Sequence, residues 1–74
     1  MALVKQLKKL TLDRPFVHDE VDCTYTLFES NGKPYLQIDT YGSSTRKLRG
    51  KKSQSLQFGP GALKDLRALL DQVS

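Results

Sequence analysis

Polar and apolar residues alternate along most of this chain, and the alternation is cut by recognisable turn signals. In residues 16–30, Val21, Cys23, Tyr25 and Leu27 fall on one face while Asp22, Thr24 and Thr26 fall on the other. Thr, Tyr, Val and Phe pack well on a pleated surface, so this stretch predicts a strand. Asn31-Gly32 comes next, a pair that tolerates positive φ and closes a hairpin. Alternation resumes in residues 35–41, with Leu36 and Ile38 opposed to Tyr35, Gln37, Asp39 and Tyr41. It returns in residues 53–58, where Leu56 and Phe58 are opposed to Ser55 and Gln57.

The period changes at both ends. After Gly59 and Gly61, either of which can cap, and Pro60, which is pre-set for a first helical position, comes an apolar stripe. Leu63, Leu66, Leu69, Leu70 and Val73 share one side of a predicted helix. At the N-terminus, Leu3, Val4, Leu7 and Leu10 predict a short helix, with Lys5, Lys8 and Lys9 away from the stripe. Alternation through Val4, Leu10 and Leu12 gives a strand as the other reading, and Pro15 ends the segment. The expected fold is α+β: a curved antiparallel β-sheet of three to four strands with the C-terminal α-helix packed on one face. Residues 16–74 form the single domain, and residues 1–15 are an N-terminal extension.

A chain of 74 residues lies near the lower limit for a self-sufficient core. Without disulfide or metal, such a core rarely supplies more than ~3–5 kcal/mol, so burial shared with a second copy is expected. No apolar run is long enough to span a bilayer, and "MALVKQLKKL" is too broken by lysine for a signal peptide. A lone Cys23 excludes an intrachain disulfide and fits a reducing cytoplasm.

Catalytic chemistry finds little footing. His18 and Cys23, the one histidine and one cysteine, are offset by five and would face opposite ways on a strand. His18, Glu20 and Asp22 share a face, but an acidic strand edge is the commoner explanation than a metal site. Ser44-Thr45-Arg46-Lys47 matches a nucleophile motif that needs a helix and a large enclosing domain. "GKKS" at 50–53 lacks the upstream glycine spacing of a phosphate-binding loop. No enzyme, cofactor or metal is expected.

Charge is more informative. Arg46, Lys47, Arg49, Lys51 and Lys52 crowd into seven positions, and their five charges exceed the chain's net charge of +4. The basicity is therefore local, which favours a polyanion partner. Arginine and lysine neutralise phosphates without reading sequence, and Ser43, Ser44, Thr45, Ser53 and Ser55 add hydroxyl donors. Tyr35 and Tyr41 on the adjacent polar face can stack unpaired bases, which favours a single strand over duplex. Asp39, an anion on the same face, weighs against this, as does the ordinary role of tyrosine in sheets and interfaces.

The run "FVHDEVDCTYTLFESNGKPYLQIDTYG", continued by "RGKKSQSLQFGPGALKDLRALLDQV", resembles the positive cofactor four family of transcriptional coactivators. The similar features are Gly32-Lys33 at the turn, "LQID" in the following strand, Gly50-Lys51-Lys52 in the basic stretch, and Pro60 before the helix. The resemblance covers residues 16–73. It implies a long curved first strand and a homodimer, with helices at its interface, whose sheets bind single-stranded DNA. It also places Lys33, Arg46, Lys47, Arg49, Lys51 and Lys52 where phosphates are met. The functional expectation is a small homodimeric single-stranded-DNA-binding protein acting in transcription or DNA processing. The alternatives are a structural dimer whose basic stretch binds an acidic protein, and an accessory subunit of a DNA-modifying system.

Overall fold

The computed structural model describes residues 1–42 and 52–73. Its elements run β1 (Ala2–Val4), β2 (Cys23–Ser30), β3 (Lys33–Tyr41), β4 (Lys52–Phe58) and α1 (Pro60–Leu70). They make one four-stranded sheet in the order β1-β4-β3-β2, curved rather than closed, with one C-terminal helix. This is the expected α+β arrangement. The pairs β2–β3 and β3–β4 are antiparallel, while β1 lies parallel to β4, so the sheet is mixed.

The hairpin forms where the turn chemistry places it. Asn31 and Gly32 have φ of 53° and 75°, and Ser30 pairs with Lys33. Positive φ at both central residues matches the right-handed twist of the strands they join. That register sets the faces. Cys23, Tyr25, Leu27, Leu36, Ile38, Leu56 and Phe58 share one side, and Thr24, Thr26, Phe28, Tyr35, Gln37, Asp39 and Gln57 share the other.

Helix α1 covers part of the apolar side, over β3 and β4. Gly59 is its N-cap and Pro60 its first residue, and the Leu63 amide donates to the Gly59 carbonyl at 2.9 Å. Ala62 is fully buried and Phe58 is 8% exposed, so the core lies where the first turns of α1 meet β4. The helix is not wide enough to cover the whole face: Leu27 is 69% and Tyr25 72% exposed. No helix among the described residues is long and apolar enough to cross a membrane.

Two sequence expectations are corrected at the N-terminal side. The segment read first as a helix, with a strand as the other reading, is a strand at Ala2–Val4, followed by chain without regular secondary structure. It takes this form because β4 offers a free edge: Ala2, Leu3 and Val4 pair with Leu56, Gln57 and Phe58. The Gly59 amide then donates to the Val4 carbonyl at 3.2 Å, and the Leu7 amide to Asp65 Oδ2 at 3.0 Å. A short segment gains more from such bonds than from an isolated helical turn. The second correction concerns β2, which starts at Cys23 although alternation runs from residue 16. Cys23 pairs with Thr40 and the Tyr41 amide donates to the Asp22 carbonyl at 3.0 Å, where β3 ends. Among the described residues, the pairing with β3 does not extend upstream of Cys23.

The approach of the N-terminal segment to α1 is close. A Cβ on Gly61 would lie 3.0 Å from the Lys5 carbonyl oxygen, a backbone atom that cannot swing aside. Gly61→Ala is therefore expected to speed hydrogen exchange at the Leu7 and Gly59 amides. Global stability should change by less than about 1 kcal/mol, because alanine's helix preference offsets the lost contacts. Unchanged exchange at both amides would show that the segment accommodates the methyl.

Candidate nucleic-acid interface

The polar side of the sheet is organised by side-chain contacts across strands. Phe28 and Tyr35 are paired directly across β2–β3, and their rings stack with centroids 5.4 Å apart and an interplanar angle of 12°. The stack holds Tyr35 in place from one side, with its ring edge close to Gly59. Tyr41 is held at the other end of β3, its hydroxyl 3.0 Å from Thr24 Oγ1. Both tyrosines thus stand on the face expected of them.

Between them runs an amide chain. Gln57 Nε2 donates to Gln37 Oε1 at 2.9 Å, and Gln37 Nε2 donates to Asp39 at 3.0 and 3.2 Å. Asp39 is 3% exposed, so its carboxylate is buried in the protein rather than displayed to a ligand. The concern that a bare anion would repel a polyanion at this face is correspondingly smaller. These bonds also fix the amide orientations of Gln37 and Gln57, because a carboxylate accepts but does not donate.

At the Tyr35 end the face deepens into a groove of about 430 Å³. Lys33 and Tyr35 line it from β3, Leu3 and Lys5 from the N-terminal segment, and Gly59 and Gly61 from the start of α1. Two lysines therefore line one concave site with an aromatic residue.

Lys33, Tyr35 and Tyr41 are brought onto this side of the sheet. Lys52 opens β4 opposite Tyr41. Arg46, Lys47, Arg49 and Lys51 lie outside the described residues. Two contributors were not anticipated. Phe28 was readable from alternation, since it is even-numbered with Thr24 and Thr26. Lys5 was not, because the predicted helix turned it to solvent and nothing local revealed the parallel pairing with β4. No family model, curated protein or solved structure matches this chain.

Proposed function

We propose that the protein is a small single-stranded-nucleic-acid-binding module, taking DNA on the polar side of its sheet, in transcription or DNA processing, in the manner its resemblance to the positive cofactor four family implies. The observation that carries this reading is the groove in which Lys5 and Lys33 accompany Tyr35, itself backed by Phe28. Aromatic rings stack unpaired bases at about 1–3 kcal/mol per base, and flanking ammonium groups take the phosphates. Paired bases offer no free face to such a ring, so the single strand is the preferred form. The sequence between Tyr41 and Lys52 also carries Arg46, Lys47, Arg49 and Lys51, four further positive charges available to a polyanion. Two copies pair through the apolar side of the fold, where Leu69, Leu70 and Val73 are exposed, leaving both polar sides for the strand.

Binding of oligo-dT, duplex DNA and heparin, compared at one salt concentration, tests the reading. Oligo-dT is expected to bind most tightly. Tyr35→Leu should weaken oligo-dT binding about 5- to 150-fold, the range set by one stacked base, without changing the salt slope. Replacing Lys5 and Lys33 by Gln should lower that slope by about 1.4, two phosphate contacts at about 0.7 each. Equal affinity for oligo-dT and heparin, unaffected by Tyr35→Leu, would reduce the protein to a sequence-blind polyanion binder. Light scattering should return a dimer, with Leu66→Asp and Leu70→Asp shifting it to monomer.

A further inference from the structure

Residues 8–22 form an arm that joins two secured points and touches little between them. At one end the Leu7 amide is bound by Asp65, and at the other the Asp22 carbonyl accepts from Tyr41. All fifteen intervening side chains from Lys8 to Asp22 are exposed. Among them are Leu10 at 78%, Phe16 at 75% and Val17 at 96%. Phe16 packs edge-on to His18 within the arm, at 4.6 Å between ring centroids. Leaving such side chains in water forgoes about 1.5–3 kcal/mol each. Polar linkers do not have this composition.

The same chain carries an unfilled apolar groove of about 500 Å³ between α1 and the β2–β3 hairpin. Leu27 and Pro34 form its floor, and Leu63, Leu66 and Leu70 its helical wall. Lys64 and Arg67 also line it. No residue of the protomer's own arm lines it. The arm's second half is acidic, with Asp13, Asp19, Glu20 and Asp22 against a single Arg14. Arm and groove are thus complementary in both apolar character and charge.

We propose that the arm of one copy seats in this groove of a second copy, Phe16 and Val17 against Leu66 and Leu70, and Asp19 and Glu20 beside Lys64 and Arg67. The exchange is reciprocal, so a two-fold dimer has two arms and two filled grooves. The proposal rests on the pairing of copies stated above and adds to it the segment that makes the contact.

The test uses the full chain with Cys23, the exposed free cysteine, replaced by Ser. One tagged version carries Val17→Cys and a differently tagged version carries Leu66→Cys; the two are mixed and treated with a short bis-maleimide. A crosslinked species bearing both tags is the expected product. The chain carrying both substitutions, diluted into excess unsubstituted protein, should give little intrachain crosslink. Intrachain crosslinking that survives this dilution would overturn the proposal in favour of an arm that folds back on its own groove. A dimer by light scattering with no mixed-tag crosslink would overturn the arm contact while leaving the pairing intact, and a monomer would overturn both. Phe16→Asp with Val17→Asp should raise the dimer dissociation constant at least tenfold with the circular dichroism unchanged, since these side chains are 75% and 96% exposed in their own protomer. Unaltered dimerisation of that variant would also overturn the proposal. Oligo-dT binding, measured separately, reports on the nucleic-acid reading.

Discussion

Replacing Arg46, Lys47, Arg49, Lys51 and Lys52 with Gln or Ser is expected to flatten the salt dependence of oligo-dT binding while leaving the fold intact. Each phosphate contact on a single strand adds about 0.7 to the slope of log affinity against log salt, so five contacts add about 3.5. Between about 50 and about 200 mM salt, the parent should lose roughly 100-fold more affinity than the variant. At the lower salt the parent binds more tightly, and the difference closes as counterion release loses its value. Stacking on Tyr35 releases no counterions, so the two contributions separate cleanly in a titration over salt. A variant with the parent's slope and affinity would mean that these charges serve solubility, and that Lys5 and Lys33 carry the phosphate contacts alone.

Phe58→Ala is expected to unfold the chain. Phe58 is 8% exposed and pairs with Leu36 on β3 and Val4 on β1, so it ties three strands together directly before the helix cap. Truncating a buried phenylalanine costs about 3–5 kcal/mol, which is as much as a core of this size supplies. Far-UV circular dichroism and urea titration would read the loss. Phe58→Leu keeps most of the volume and should retain a cooperative transition at a lower urea midpoint. If Phe58→Ala left the midpoint where it was, the junction of β4 and α1 would not be the core, and the exposed apolar side would have to supply stability through a second copy.

What the sequence determined by itself is local. Asn31 and Gly32 could close the hairpin because both accept positive φ, and the register that follows put Tyr35, Gln37, Asp39 and Tyr41 on one side. Pro60 after Gly59 marked the start of α1, whereas the leucine period behind it did not mark the buried side, since Ala62 is buried and Leu69 and Leu70 stay exposed. These features depend on backbone preference and side-chain periodicity over a few residues, and both are printed in the chain. The arrangement of the site was decided elsewhere. Lys5 joins Lys33 and Tyr35 because β4 left an edge that β1 could occupy in parallel, a pairing between segments some fifty residues apart. Phe28 meets Tyr35 through a cross-strand register that, among the described residues, begins at Cys23 opposite Thr40. Alternation states which residues can share a face. Which edge is free, and which segment gains most by filling it, depends on burial and backbone hydrogen bonds that exist only once the distant strands have met.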